Sequence, residues 1–302
     1  GTWFRPAVDP LEAATRLPAD GAEAKTIVAR VQSGQARIEK ISAQTKRMSP
    51  PGLYDLTELQ RHANRLYGFS AQRTLDIAQA LYERHKLISY PRTDSRHLSQ
   101  DVARTLPRIV NAISGNYQGL LAPGTGERPL NKRFVDDAKV SDHHAIIPTG
   151  AQASSLGGDE QKIYDLICRR LLSAWHEDYI WAVTTVITLV NSGPPDTEDR
   201  FHSTGTAVQQ EGWKVLDIGG GKKRKAKAED AGDDSADGGQ TLPPGLETGQ
   251  PQTVEAVDAV EKKTRPPKRF SEATVLTAME TAGETIDDKE VSDAMREYGL
   301  GS

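Results

Sequence analysis

The sequence predicts an α+β, multidomain protein in which a mostly helical segment is inserted between two β-rich segments. Apolar residues at helical spacing are concentrated in 51–178, whereas β-branched and alternating patterns dominate 1–50 and 179–262. A chain of 302 residues is also longer than one compact core usually holds, so several structural units are expected. Helical patterns return after residue 268.

The first β-rich segment begins with an extended lead-in over residues 1–20. Residues 25–51 then show patchy alternation of apolar side chains, which favours two strands joined near Ser33 and Gly34. The alternating residues are Ile27, Ala29 and Val31, followed by Ala36, Ile38 and Ile41.

The helical segment carries its own start and stop signals. Asp55, with a glutamate three residues later, resembles a capping box, and Gly68 suits the end of that helix. Ser70 is expected to cap a second helix and Ser99 a third, in which Pro107 makes a break possible. Residues 114–132 are predicted to be loop, and another helix is expected around residues 163–171.

The remaining β pattern lies after residue 178. Strands are predicted at 178–190, 201–209, 213–216 and 253–260. Between them, residues 219–240 contain five basic and then five acidic residues among glycines, which predicts a disordered loop. A solubilising insert is the favoured role for this loop, and contact of its basic half with DNA is the alternative. Helices are expected to begin at Ser271 and near residue 291.

The charge balance excludes binding to nucleic acid by bulk charge alone. There are 38 lysines and arginines against 42 aspartates and glutamates, so the net charge is −4. Any contact with nucleic acid would therefore use local basic clusters, of which 84–97 and 262–269 are candidates. Solvated surface is the alternative interpretation of both.

The single cysteine, Cys168, excludes an internal disulfide and a zinc site built on several cysteines. It lies in an apolar helical pattern and is expected to be a small buried hydrophobe. No apolar run reaches the roughly 18 residues that span a bilayer, and the first residues do not resemble a secretory signal. A reducing, cytoplasmic compartment is therefore expected.

The stretch 87–98, LISYPRTDSRHL, has the most distinctive local chemistry. Pro91 favours extended geometry in Tyr90, and positions i and i+2 of an extended chain point the same way. The phenol of Tyr90 and the guanidinium of Arg92 are thus expected on one side. On local chemistry alone, a strand end with a solvated tyrosine and arginine is the more ordinary interpretation.

The alternative interpretation is a tyrosine nucleophile beside a phosphate-binding arginine. A free phenol has a pKa of about 10, so it needs help to attack near neutral pH. An adjacent cation favours the phenolate and also receives charge that develops on a phosphoryl group. Arginine suits this role because its planar fork grips phosphate oxygens in pairs.

Two adjacent histidines, His143 and His144, lie in DDAKVSDHHAIIPTG at 136–150. Adjacent side chains do not share a face of a helix or strand, so they are a poor metal pair. A histidine in a loop is more often structural than catalytic, although its usual pKa lies in the range useful for proton donation.

These motifs together resemble the type IA DNA topoisomerases. ISYPRTDS at 88–95 is similar to the active-site signature of that family. The stretches 53–64 and 68–87 precede it in the family's order, and DDAKVSDHHAIIPT at 136–149 follows at the family's distance. The motif HHAIIPT at 143–149 is similar to the corresponding sequence of the topoisomerase III branch. A weaker similarity returns at 268–301.

The resemblance implies roles for six residues. Tyr90 would be the nucleophile, Arg92 would hold the scissile phosphate, and His143 would donate a hydrogen bond to it. The resemblance leaves His144 structural, and it makes Lys86, Arg96 and Lys139 candidate contacts to the DNA backbone. The reaction would cleave one strand through a 5′-phosphotyrosine and reseal it after another strand has passed, without ATP.

The resemblance also implies the architecture of the family's arch. A β-rich hinge domain (1–50 and 179–262) would carry the helical domain (51–178) that bears the tyrosine, and residues from 263 would begin a helical DNA-binding domain. The family's Toprim domain, whose DxDxE cluster holds Mg²⁺, has no counterpart in this sequence. The chain is therefore expected to be an internal fragment without metal ligands of its own, inactive alone in DNA relaxation. Its expected partners are single-stranded DNA and a Toprim domain, with no membrane, and the chain is expected to be monomeric in a bacterial cytoplasm.

Three other classes of protein match the sequence less well. Rolling-circle relaxases use a His-hydrophobic-His metal pair, which the sequence lacks. Tyrosine recombinases place the tyrosine after their histidine, whereas Tyr90 precedes His143. A non-catalytic module that binds single-stranded DNA is the alternative from a different class.

Overall fold

The chain forms two compact units, here called the sheet unit and the helical unit. In the computed structural model, residues 1–5, 17–152, 155–193, 198–218, 242–263 and 266–281 are described. The sheet unit lies within Gly1–Met48, Ile180–Gln210 and Arg224–Pro266, and the helical unit within Ser49–Tyr179, Glu211–Lys223 and Pro267–Ser302. The predicted α+β class is confirmed.

The sheet unit is built on one five-stranded sheet with the order β1-β4-β3-β2-β5. Its strands β3 and β4 pair antiparallel over their whole length, with an irregularity at Ile180 and Trp181. Predicted strands at 178–190 and 201–209 correspond to β3 and β4. The strands are β1 (Thr2–Phe4), β2 (Gln35–Met48), β3 (Tyr179–Asn191), β4 (Glu198–Gln210) and β5 (Pro251–Gln252).

The first of the two strands predicted in 25–51 is wrong, because that part of the chain is a helix, α1 (Ala22–Gln32). Its buried residues are Ile27 and Val31, which are four positions apart and so share a helical face. Ile27 and Val31 fit either period, whereas Ala29 is exposed in the helix. The surrounding alanines, lysine and arginine favour the helix. The second predicted strand is β2.

A buried carboxylate ties α1 to the sheet. Asp199, which is 1% exposed, accepts two hydrogen bonds of 2.6 Å from the guanidinium of Arg30 and one of 2.9 Å from the indole of Trp3. The side chain of Arg30 is 36% exposed, so the pair is asymmetric. Removing the Arg30 guanidinium would leave the buried Asp199 carboxylate without a counter-charge, whereas removing the carboxylate would leave a guanidinium that water can reach.

We therefore expect Arg30→Met to destabilise the sheet unit by about 3–5 kcal/mol and Asp199→Asn by only about 1–3 kcal/mol. Urea unfolding of the two variants measures the difference. Arg200→Met is the matched control, because Arg200 pairs with the more exposed Glu39 at 2.8 Å and should cost about 1 kcal/mol or less. Equal losses of unfolding free energy in Arg30→Met and Arg200→Met would contradict the conclusion that Arg30 compensates a buried charge.

The helical unit contains six α-helices among its described residues, and their predicted caps are confirmed. The side chains of Asp55, Ser70, Ser99 and Ser271 each accept a backbone N–H of the first turn that follows, and Gly68 ends its helix with φ 69°. The helices are α2 (Leu56–Tyr67), α3 (Ala71–Glu83), α4 (Gln100–Ala103), α5 (Leu106–Ile113), α6 (Gly158–Ser173) and α7 (Glu272–Glu280).

The break that Pro107 makes possible in the helix from Ser99 is confirmed, because the structure divides this stretch into α4 and α5. Pro107 falls in the first turn of α5, where its missing N–H costs nothing. Several other local predictions need correction. Residues Gly212–Leu216 form a 3₁₀ helix rather than a strand, and residues 253–260 are irregular after the short β5. The stretch 114–132, predicted to be loop, includes a 3₁₀ helix at Ser114–Leu120. The predictions for 219–240 and for the helix near 291 lie outside the described residues.

The core of the helical unit includes Cys168, which is 1% exposed as expected from the sequence. Burial raises the pKa of its thiol to about 12.

Beside this core lies a group of polar side chains around Tyr54. The guanidinium of Arg170 lies over the Tyr54 ring, 4.0 Å from its centroid, and the Tyr54 hydroxyl donates to Nδ1 of His62. Burial, with a further contribution from Arg170, lowers the pKa of His62 to about 4.

We expect acid to destabilise the helical unit through His62. In the unfolded chain this histidine takes up a proton near pH 6.5, whereas the folded one resists until about pH 4, so stability is complete above 6.5 and is lost between the two values. The free energy of unfolding should fall by about 2 kcal/mol between pH 7 and pH 5 from this residue. Urea unfolding at the two pH values measures this change, and the His62→Gln variant should show a fall that is smaller by about 2 kcal/mol. His202→Gln, in the sheet unit, should leave the difference unchanged.

Candidate active site

The polypeptide leaves α3 through a left-handed residue and turns back toward that helix. Lys86 has φ 57°, which costs a residue with a side chain about 1–2 kcal/mol. Hydrogen bonds hold this conformation, since Leu87 N donates to Leu81 O at 2.9 Å and Thr149 Oγ1 donates to Lys86 O at 2.7 Å. The turn leaves the Tyr90 ring in edge contact with the Tyr82 ring, at 5.4 Å between centroids.

A buried stretch, here called the 145–148 segment, joins three parts of the helical unit. All four of its residues are buried, and it forms isolated bridges with Tyr54 and Ile88. The Ser89 hydroxyl makes two hydrogen bonds to this segment. It donates to Ala145 O at 3.0 Å and accepts from Ile147 N at 2.9 Å. The backbone bonds are Ala145 N to His97 O (2.9 Å), Ile146 N to Tyr54 O (2.8 Å) and Ser89 N to Ile147 O (2.8 Å).

These connections bring Tyr90 and His143 together, although 53 positions separate them in the sequence (143 − 90). Their rings lie 4.4 Å apart between centroids and are tilted by 45°. Tyr90 is half-buried and His143 is exposed. Among the described residues, no hydrogen bond reaches the Tyr90 hydroxyl. The hydroxyl is therefore available to a reacting partner.

Thr93 fixes the backbone at both sides of this contact. Its hydroxyl donates to His143 O at 3.1 Å and accepts from Ser95 N at 3.1 Å. Thr93 is 7% exposed, so water cannot readily replace these bonds. Ser95 continues the connection by donating from Oγ to Lys139 O at 2.8 Å.

Arg92 is exposed and faces α3 rather than an acidic residue. With the Gln79 amide oriented so that its oxygen faces Arg92, that oxygen accepts from Nη2 at 3.0 Å and from Nε at 3.2 Å. Within the described ranges, Arg92 makes no other hydrogen bond or ion pair. Its charge is thus not neutralised by a partner.

The three remaining candidates have different surroundings. The ammonium of Lys86 lies 5.7 Å from the centroid of the Tyr82 ring, next to the tyrosine pair. Arg96 turns toward the protein, donating from Nε to Leu53 O at 3.1 Å. The side chain of Lys139 is exposed.

His144 makes a different contact from that of His143. Its Nδ1–H donates to Ala145 O at 2.7 Å, which fits a structural role.

Sequence reasoning did not single out Gln79, Ser89 or the buried role of Thr93. Helical spacing offers a signal for Gln79, since it lies three residues before Tyr82 on the same face of α3. The pairing of Ser89 and Thr93 with residues beyond 140 depends on long-range contacts, for which a single sequence gives no signal.

The described part of the chain has no group of three or more histidine, cysteine or acidic side chains placed to hold a metal ion. The Mg²⁺ implied by the resemblance therefore does not fit these residues. In the same residues, no helix has the length and apolar character needed to cross a bilayer.

Comparison with known proteins decides the family. A family model described as DNA topoisomerase matches residues 13–301. The chain belongs to the type IA DNA topoisomerase family. The resemblance found in the sequence motifs, including the topoisomerase III branch, is thereby confirmed.

Curated members of this family that match the chain are DNA topoisomerase 3 enzymes. That of Bacillus cereus (strain ATCC 10987 / NRS 248) is 37% identical over 279 residues, and that of Bacillus subtilis (strain 168) is 38% identical over 265 residues. The alignments cover 90% and 86% of this chain but only 36% and 34% of the relatives. The chain thus spans about a third of the length of these topoisomerases.

A solved structure supports the type IA fold. Full-length topoisomerase I from Thermotoga maritima matches with a TM-score of 0.59 and 22% identity. The match covers 95% of this chain and 44% of that one.

We expect Thr93→Val to lower the free energy of unfolding by about 1–3 kcal/mol, because it leaves the His143 carbonyl and the Ser95 amide without their buried partner. Thr93→Ser keeps the hydroxyl and should recover most of the loss. Urea unfolding monitored by circular dichroism measures both. A valine variant as stable as the serine variant would show that these bonds do not hold the loop.

Proposed function

We propose that this chain supplies the nucleophile and the phosphate-binding groups of a type IA topoisomerase that cleaves and reseals one DNA strand. The Tyr90 oxygen attacks a phosphodiester of single-stranded DNA. The phenol gives up its proton as the new bond joins its oxygen to phosphorus, the bond from phosphorus to the 3′ oxygen breaks, and the leaving 3′ oxygen takes up one proton, so the step is balanced. The 3′-hydroxyl later attacks the phosphotyrosine and restores the strand, so no ATP is consumed.

The contact between Tyr90 and His143 is the observation that carries the proposal. Tyr90, whose hydroxyl has no hydrogen bond to any described residue, lies against the exposed imidazole of His143. Arg92, two residues further along the chain, has no acidic partner in the same part of the structure. In this proposal Arg92 binds the scissile phosphate and stabilises its developing charge. His143 donates a hydrogen bond to a phosphate oxygen. Lys86, Lys139 and, less favourably oriented, Arg96 contact the DNA backbone.

The two units fit the hinge and tyrosine domains implied by the resemblance. In this proposal residues 1–50 and 179–262, which include most of the sheet unit, form the hinge domain, and residues 51–178 form the tyrosine-bearing domain. Residues 263–302 begin the helical DNA-binding domain. Mg²⁺, when bound to a Toprim domain of the same enzyme, supplies charge stabilisation, and this chain is inactive in relaxation without it. The setting is a bacterial cytoplasm, with the chain acting as a single copy.

The test mixes the chain with a Toprim domain, Mg²⁺ and a single-stranded oligonucleotide labelled at either end. A 5′-phosphotyrosine keeps the downstream part of the strand on the protein. A 3′ label should therefore appear in a denaturant-resistant protein adduct, whereas a 5′ label should appear in a shortened free oligonucleotide.

We expect Tyr90→Phe to abolish this adduct, because the ring remains but the attacking oxygen is lost. Tyr82→Phe is the matched control, since it removes a neighbouring hydroxyl and keeps the edge contact with Tyr90. An adduct that survives in Tyr90→Phe would assign the nucleophile elsewhere. Salt-sensitive binding without any adduct would favour the non-catalytic single-strand-binding module.

A further inference from the structure

Gln79 holds only one of the two hydrogen-bonding edges of the Arg92 guanidinium. Nε–H and one N–H of Nη2 form the side edge, and both point at the Gln79 oxygen, at 3.2 Å and 3.0 Å. The end edge, formed by Nη1 and the other N–H of Nη2, has no partner among the described residues. That edge has the fork geometry that binds two oxygens of a phosphate.

The helix that carries Gln79 is firmly held. Buried residues on both sides of it, Ile77, Ala78 and Leu81, pack in the core of the helical unit. One turn further along the same face, Tyr82 contacts the ring of Tyr90. One rigid helix face therefore contacts both the arginine and the tyrosine. Groups held on a rigid element need little reorganisation when a ligand binds.

The neutrality of Gln79 is as informative as its position. A carboxylate at this place would also accept from the side edge, and more strongly. It would, however, neutralise the cation and compete with an anionic ligand. Three arginines of the helical unit, Arg61, Arg73 and Arg84, are neutralised in that way by acidic side chains. Arg108 and Arg128 bond instead to backbone carbonyls. Arg92 is held without such pairing.

We propose that Gln79 is the positioning residue for Arg92. Its uncharged amide orients the guanidinium, and it leaves the positive charge and the end edge of that guanidinium free to bind a phosphodiester of single-stranded DNA. This deepens the proposed function and rests on it for the identity of the ligand. The hydrogen bonds between the two side chains do not depend on that identity.

The experiment uses the full chain and has two arms. Nitrogen-15 NMR of the arginine Nε–H groups follows hydrogen exchange at Arg92, whose signal is assigned by its loss in Arg92→Lys. Binding of a fluorescein-labelled oligothymidylate is then measured over a range of salt concentrations. The variants are Gln79→Ala, Gln79→Glu and the control Gln72→Glu. This control adds the same charge on the same helix face about 10 Å away, two turns along α3.

The variants should separate orientation from charge. Gln79→Ala should speed exchange at the Arg92 Nε–H and weaken oligonucleotide binding about five- to tenfold. Gln79→Glu should keep the exchange slow but weaken binding at least as much, with the slope of log affinity against log salt less steep by about 0.7. Gln72→Glu should affect neither measurement beyond about twofold. In an Arg92→Gln background, Gln79→Ala should have no further effect on binding.

Two results would overturn the role of Gln79. One is unchanged exchange in Gln79→Ala, which would show that Gln79 does not hold the guanidinium. The other is tight binding by Gln79→Glu, which would show that neutrality is irrelevant. If the unchanged chain fails to bind the oligonucleotide while the exchange results hold, the proposed function fails and the positioning of Arg92 stands.

Discussion

The site depends on the backbone hydrogen bonds of the 145–148 segment. This buried stretch bonds to residues that precede α2, to the loop that carries Tyr90 and to the loop that follows Arg92. Because the amides of residues 145–147 and the carbonyls of Ala145 and Ile147 bond to these partners, moving one of the loops would leave polar groups unpaired in the core. The position of His143 follows directly, since it lies two residues before the segment, and Thr93 secures its carbonyl. The contact between Tyr90 and His143 is thus held by hydrogen bonds of the main chain and not by side-chain packing alone.

Much of the fold was predictable because the signals are local. The caps Asp55 and Ser70 bond to amides within their own first turn, and β3 is a run of β-branched and aromatic residues. The errors fall where local signals are weak. Ile27 and Val31 fit both periods over so short a window, and the sheet supplies the packing that fixes α1 as a helix. The stretch Gly212–Leu216 has the composition of a strand, but Trp213 N bonds to Glu177 O and the stretch curls into a single 3₁₀ turn.

The site was predictable in its residue types and less so in its geometry. The family motif led to Tyr90, Arg92 and His143, and the separation of His143 from its neighbour followed from their adjacency. No local rule says that a glutamine on α3 faces Arg92, because that contact depends on how the chain turns back after Lys86. The basic character of the 84–97 cluster also proved uneven. Arg96 bonds to a backbone carbonyl, and Arg84 pairs with an acidic residue, whereas Arg92 keeps its charge unpaired. Net charge says little about such a site, since the decisive quantity is which cations lack an anionic partner.

The buried cysteine has a practical consequence for spectroscopy. Thiol reagents attack the thiolate, and the pKa of about 12 leaves Cys168 almost entirely protonated at neutral pH as well as inaccessible. A cysteine introduced on the surface of either unit would then be the one reactive thiol of the folded chain, since the sequence contains no other. Fluorophores or spin labels could be attached at chosen positions without first removing a native residue from the core. Distances within and between the units thus become measurable in a chain whose packing is untouched.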